Sequence, residues 1–337
     1  MFELKKVGFI GTGVMGAPMA EHLLKAGLAL NVYTRTKERA QALISLGAKW
    51  CDTPKECAAD CDVVISIVGY PNDVREVWLD RHHGAFLGMK EGAIGLDMTT
   101  SSPDLAVELY ETARLKGLNM ADCPVTGGDI GARNATLTML FGGDYDVFRS
   151  LEPLFKILGK KAVYFGKAGM GQMAKACNQV AIATTMFSVC EAIVFAKGMG
   201  LDPALAIETL NGGAAGSFSM QSYGPRILKK DFAPGFKIAH FLKDMEIALK
   251  VCNDRGISLP GLDLAHKAYG MLKEMGKGEL GTQALYLFYS SAMMPDFVPN
   301  DDTVDGAPLE QQGVSESADQ SEAQEFKPLE PVVLQLK

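Results

Sequence analysis

Short apolar runs alternate with stretches of helical period through the first half of the chain. The runs 6–10, 30–34, 63–68, 93–98, 119–122, 136–141 and 162–165 predict strands. Segments 15–25, 37–46, 73–79, 103–115 and 145–158 carry apolar residues at helical spacing and predict helices. Strands alternating with helices make βαβ units, and so a parallel sheet with a helix in most crossovers. The Val/Ile-rich run 63–68 reads as a strand buried on both faces. The pattern changes near Gly166. From Gly171 to Gly198 one helical stretch runs without Pro or internal Gly, about 28 residues and roughly 40 Å long. Asp202-Pro203 has the form of an N-cap followed by a first-turn Pro, and segments 240–253, 261–275 and 282–292 add further helical patterns. A second, all-helical domain is therefore expected, joined to the first by the long helix.

Residues 294–337 differ again, with five Pro, many Gln, Ser and Glu, and ten acidic residues against two basic ones. That composition predicts a disordered acidic tail. It also relocates the charge. The whole chain of 337 residues carries a net −7, but residues 1–293 hold 31 basic and 30 acidic residues and are nearly neutral. No basic excess points to nucleic acid or to an anionic membrane surface. No window holds the ~18 uninterrupted apolar residues of a membrane span. The start, MFELKKVGFIGTG, lacks the features of a secretory signal, so a cytoplasmic location is expected. Seven cysteines, an odd number without CxxC spacing, read as reduced thiols. Cys51, Cys57 and Cys61 match no zinc spacing, and no metal site is expected.

The strongest chemical signal follows the first strand: Gly11-Thr12-Gly13-Val14-Met15-Gly16. A GxGxxG that closes a strand, opens a helix and precedes a second strand is the dinucleotide-binding pattern. Gly11 permits the tight turn, Gly13 lets the backbone approach a pyrophosphate, and Gly16 lets helix and strand pack closely. The helix N-terminus, from Val14 and Met15 onward, offers N–H groups to the phosphates. At the end of the second strand, Thr34-Arg35-Thr36 contains no acid to bind ribose hydroxyls. Arg35 can pair with a 2′-phosphate and the two threonines can hydrogen-bond to it, so NADP is preferred and NAD remains possible.

A second glycine motif, Gly166-Lys167-Ala168-Gly169-Met170-Gly171, runs on through Lys175 to Asn178-Gln179. It resembles the GxxGxGxxxKxxNQ signature of the β-hydroxyacid dehydrogenases, which include 3-hydroxyisobutyrate dehydrogenase and tartronate semialdehyde reductase (2-hydroxy-3-oxopropionate reductase). GFIGTGVMG at 8–16, DMTTSSP at 97–103, DCPVTGG at 122–128, NGGAAGS at 211–217 and PGFKIAHFLKD at 234–244 resemble further family segments. The resemblance spans 7–293 and leaves out the tail. It implies a Rossmann-type dinucleotide-binding domain at 1–166 and a helical substrate and dimerisation domain at 167–293. It implies an NAD(P)-dependent oxidoreductase that interconverts a small 3-hydroxy acid and its semialdehyde, assembled as a homodimer or homotetramer. Lys175 matches the catalytic acid/base, and Asn178 a residue orienting substrate and lysine. Thr126, Gly127 and Gly128 match the grip on the substrate carboxylate, and Ser217 a substrate-pocket serine. Val68, Pro71 and Thr100 match the lining of the nicotinamide side, and Lys243 a lysine that reaches the cofactor. Thr126 stands where the family most often has Ser, and Ala135 where it often has Gly. Lys175 sits among apolar neighbours and Asn178 follows at i+3, on the same helix face. Such a lysine can supply the proton an alkoxide needs. Other readings stay open: a non-catalytic dinucleotide-binding scaffold, or a 6-phosphogluconate dehydrogenase-like or imine reductase-like enzyme. Cys177-Asn178 in place of His-Asn counts against the first enzyme, and the retained Lys175 against the second and against the scaffold.

Overall fold

The computed structural model describes residues 3–289. Six strands, β1 (Lys6–Ile10), β2 (Ala29–Tyr33), β3 (Lys49–Trp50), β4 (Val63–Ser66), β5 (Ile94–Asp97) and β6 (Asn119–Asp122), run parallel in the order β3-β2-β1-β4-β5-β6. Between them lie α1 (Gly16–Lys25), α2 (Gln41–Ser45), α3 (Pro54–Ala58), α4 (Pro71–Leu79) and α5 (Pro103–Leu115). Alternation along each strand feeds two cores. Val7, Phe9, Val32, Ile65 and Leu96 face one side, while Ile10, Val64, Trp78 and Met120 pack on the other. All four residues of β4 are buried, as its sequence requires.

The sheet then departs from the purely parallel expectation. β7 (Val125–Thr126) continues the line of β6, and both pair antiparallel with one edge of β8 (Leu137–Gly142). The other edge of β8 pairs parallel with β9 (Gly159–Gly166). Between β7 and β8 lies α6 (Gly128–Arg133), too short to carry the chain back along the sheet, so β8 runs the reverse way. The helix expected over 145–158 breaks into α7 (Tyr145–Ser150) and α8 (Glu152–Leu158). Pro153 lacks an N–H and its ring would meet the preceding turn, so the ladder restarts there.

The second half is helical: α9 (Met170–Gly198), α10 (Pro203–Asn211), α11 (Phe218–Leu228), α12 (Ile238–Asp254) and α13 (Pro260–Leu272). Asp202 caps α10 through Ala204 N–H at 2.8 Å, as the Asp-Pro pair predicts. The helical period at 261–275 stops at Leu272, where a wider turn, Lys273–Lys277, places Gly276 at φ 76°. The last pattern is a 3₁₀ turn, Thr282–Tyr289, and its remainder to 292 lies outside the described residues, as does the tail expected at 294–337. Sequence periodicity missed α11 because Gly224 and Pro225 interrupt it. Gly224 is required there, since a Cβ would sit 2.8 Å from Ile207 Cγ2. By length and mean hydropathy α9 could cross a membrane, but half of that apolar window is buried inside the fold. It also carries Lys175, Gln179 and Glu191, and it packs into the core formed with α12 and α13.

Candidate active site

Two constellations meet at the carboxyl ends of the parallel strands. The first is the turn from β1 to α1. Gly11 has φ 101°, and a Cβ there would lie 2.2 Å from the Ile67 carbonyl oxygen. A Cβ on Gly16 would lie 1.9 Å from the Gly11 carbonyl oxygen. A Cβ on Gly13 would meet no atom within 4 Å. Gly11 and Gly16 are thus fixed by the protein itself, whereas Gly13 borders open space. Thr12 Oγ1 is buried beside it with no hydrogen-bond partner among the described residues. Gly16→Ala is expected to abolish dinucleotide binding and lower the melting temperature together, as read by cofactor titration and thermal denaturation. A Cβ that collides with backbone rather than a flexible side chain cannot be relieved by a rotamer change.

The second constellation surrounds the first turns of α9. Gly169, at φ 87°, opens the helix. The buried Asp122 at the end of β6 accepts the Gly169 N–H at 2.7 Å and the Gln172 N–H at 2.8 Å. Burial pushes its carboxyl up to about 7, against the pull of those N–H groups. Gln172 ties the helix to the loop after β5, accepting from Ser101 N–H at 2.9 Å and donating to the Thr99 carbonyl at 2.8 Å. In that loop Thr99 Oγ1 accepts the Val68 N–H at 3.0 Å. Asp97 accepts the Ser66 hydroxyl at 2.7 Å, and burial raises its carboxyl to about 6.

One turn along α9, Lys175 is buried and donates to the Val125 carbonyl oxygen at 2.8 Å. Burial lowers its ammonium to about 8; Asp244 opposes that shift and Lys243 adds to it. Thr126, next to Val125, donates its hydroxyl to Asn178 Oδ1 at 3.3 Å. Asn178 donates to Gln179 at 2.7 Å, and Gln179 to Asp244 on α12 at 2.6 Å. Lys243 pairs with Asp244 at 2.9 Å and donates to the Thr100 carbonyl at 2.5 Å. Lys175, Asn178, Thr126, Thr100 and Lys243 thus belong to one polar cluster linking both halves of the chain. Gly127 and Gly128, at φ 126° and 64°, turn the chain just after Thr126.

Other sequence-selected residues lie around this cluster or apart from it. Val68 and Pro71 flank the turn into α4. Thr34 is half-buried, whereas Arg35 and Thr36 are exposed beyond β2. Val14 is exposed and Met15 half-buried at the start of α1. Ser217 spends its hydroxyl on the Met220 N–H at 3.0 Å, capping α11, and forms no hydrogen bond with the Lys175 cluster among the described residues. The Lys243-Asp244 pair is buried rather than solvated. Ala135 takes the left-handed conformation, φ 50°, where Gly is favoured.

The model for the NAD binding domain of 6-phosphogluconate dehydrogenase matches residues 6–166. The model for the NAD-binding domain of NADP-dependent 3-hydroxyisobutyrate dehydrogenase matches 169–289. A probable mitochondrial 3-hydroxyisobutyrate dehydrogenase-like protein of Arabidopsis thaliana is 48% identical over 84% of this chain and 84% of its own. The chain belongs to the β-hydroxyacid dehydrogenase family. Another relative in this family, the 2-hydroxy-3-oxopropionate reductase of Escherichia coli, is 36% identical over 83% of this chain and 95% of its own. The solved 3-hydroxyisobutyrate dehydrogenase of Mycobacterium tuberculosis with L-serine superposes with a TM-score of 0.76. It is 27% identical and covers 85% of this chain and 99% of that one. This member of the β-hydroxyacid dehydrogenases is an NAD(P)-dependent dehydrogenase. Its glycine turn carries the spacing and open approach that a dinucleotide requires.

Sequence reading missed three parts of the cluster. The Val125 carbonyl, which holds Lys175, is backbone and leaves no side-chain signal. Gln172 looks like an ordinary helix polar and Gln179 closes the glycine-lysine signature without a role of its own, yet both are 1% exposed, which only the packing reveals. Asp122 stands first in the DCPVTGG segment, but its role in capping α9 appears only when β6 and α9 meet.

Proposed function

We propose that this β-hydroxyacid dehydrogenase interconverts a small 3-hydroxy acid and its semialdehyde, with NADP as the preferred cofactor and Lys175 as general acid/base. The observation that carries this reading is the buried ammonium of Lys175, held by Val125 next to the Thr126 hydroxyl. Gly11, Gly13, Val14, Met15 and Gly16 would hold the pyrophosphate. Thr34, Arg35 and Thr36 would hold the adenosine end, and Val68, Pro71, Thr100 and Lys243 the nicotinamide side. When bound, the nicotinamide supplies or accepts the hydride. Thr126, with the backbone N–H groups of Gly127 and Gly128, grips the substrate carboxylate. Asn178, fixed by Thr126 and Gln179, orients the reacting oxygen. Lys175 has three donors, and the Val125 carbonyl uses one. Another faces the developing alkoxide, stabilising it and delivering the proton in reduction, or removing it in oxidation.

The lowered Lys175 value gives this chemistry a pH signature. Reduction needs the ammonium, so kcat/KM for a semialdehyde falls as pH rises through about 8. Oxidation needs the neutral amine, so kcat/KM for the hydroxy acid climbs across the same value of about 8. Profiles that move together in both directions would remove Lys175 from the role.

Assembly as a homodimer or homotetramer has its own support. Phe195, Met199 and Leu201 at the end of α9 are 64%, 63% and 54% exposed, and Phe218 on α11 is 54% exposed. Apolar surface of this kind is commonly covered by a second copy. All seven cysteines are free thiols, which suits a reducing compartment such as the cytoplasm.

A further inference from the structure

The reading that Arg35 meets the adenosine ribose leaves one charge beside it without a role. Arg35 is 73% exposed and donates from Nη1 to Asp73 Oδ1 at 3.1 Å. Asp73 is only 16% exposed, and its other oxygen accepts the Tyr70 N–H at 3.0 Å in the capping box of α4. The carboxylate is therefore fixed by backbone, and the guanidinium reaches across to it. Glu76, one turn further along α4, is exposed, and its charge and that of Arg35 both act on the Tyr33 hydroxyl at the end of β2. Lys37, the next basic residue, lies over the Trp50 ring at 5.2 Å. The Arg35 guanidinium thus pairs with a carboxylate that α4 holds in place, just beyond the end of β2.

We propose that Asp73 is a specificity-determining residue for the dinucleotide: its carboxylate shares the Arg35 guanidinium and restrains the preference for a 2′-phosphorylated adenosine. A 2′-phosphate brings up to two negative charges next to Asp73 and must divide the five N–H donors of Arg35 with it. A ribose hydroxyl brings no charge and bears no such cost. The sequence Thr34-Arg35-Thr36 favours NADP, and the acid arriving from α4 moderates that choice, so both cofactors are used.

The test rests on the Arg35 reading but separates from it. Adenosine 2′,5′-bisphosphate and adenosine 5′-monophosphate are titrated by calorimetry into wild type, Asp73→Asn and Arg35→Ala, at low and high salt. Asn keeps an acceptor for the Tyr70 N–H and loses the charge. The expected result is that Asp73→Asn binds the bisphosphate about three- to ten-fold more tightly, less so at high salt, with the monophosphate unchanged. Weaker or unchanged bisphosphate binding in Asp73→Asn would overturn the proposal. If Arg35→Ala also binds both ligands like wild type, the Arg35 reading itself fails. If Arg35→Ala loses the bisphosphate alone, only the role of Asp73 fails.

Discussion

Lys175→Met is expected to lose about 10³–10⁴-fold in turnover while binding the dinucleotide as wild type does, and to melt no lower than wild type. The first half follows from chemistry, because Met keeps the buried volume and offers no proton. The second half follows from burial. The ammonium falls from 10.5 to about 8 on folding, so the folded chain binds this proton less tightly than the unfolded chain. Below about 8, where both states are protonated, that difference costs roughly 3 kcal/mol, recovered as pH rises from about 8 towards 10.5. Met removes this cost and leaves the Val125 carbonyl without its donor, a loss of roughly 1–3 kcal/mol. Stopped-flow turnover, cofactor titration and a thermal melt read the three outcomes. A large fall in melting temperature would make Lys175 a structural residue.

Asp122→Ala carries the second large effect, this time on stability. Its carboxylate accepts two buried N–H groups at the start of the 29-residue α9. Ala leaves both donors unsatisfied at roughly 1–3 kcal/mol each, so about 3 kcal/mol of unfolding free energy should be lost. The same turn holds Gln172, which braces the loops carrying Thr99 and Ser101, and Lys175 follows one turn later. Turnover should therefore fall as well, through displacement of the lysine. Asp122→Asn should also destabilise, because Gly169 and Gln172 use different carboxylate oxygens and the amide NH2 that replaces one of them is a donor facing a donor. Denaturant midpoints for the two variants check this, and a wild-type midpoint in either would contradict the capping account.

The parts of this site that depend on local spacing were legible in the chain. Gly11, Gly13 and Gly16 announce themselves by their spacing after a strand end, and Gly11 and Gly16 leave no room for a Cβ. Lys175 stands out as a charge within an apolar stretch of helix. What depends on elements meeting was not legible. The apolar run that became β8 looks like any other strand, and only the short α6 before it reverses its direction. Lys243-Asp244 reads as a solvated helix pair until α12 packs against the Thr100 loop and buries it. The hydroxyl of Ser217 has one observed partner, a backbone N–H at a helix start, and a sequence cannot distinguish that use from a contact with substrate.

The central claim is a hydride-transfer enzyme for small hydroxy acids whose proton passes through Lys175. It is tested most directly by following the near-ultraviolet absorbance of reduced nicotinamide. Wild type and Lys175→Met would be given NADPH with a panel of small semialdehydes, and NADP⁺ with the matching 3-hydroxy acids and L-serine. Saturable turnover by wild type on at least one pair, lost in Lys175→Met with cofactor binding intact, is the predicted result. Bound NADPH with no turnover on any substrate, or equal rates in the two proteins, would contradict it.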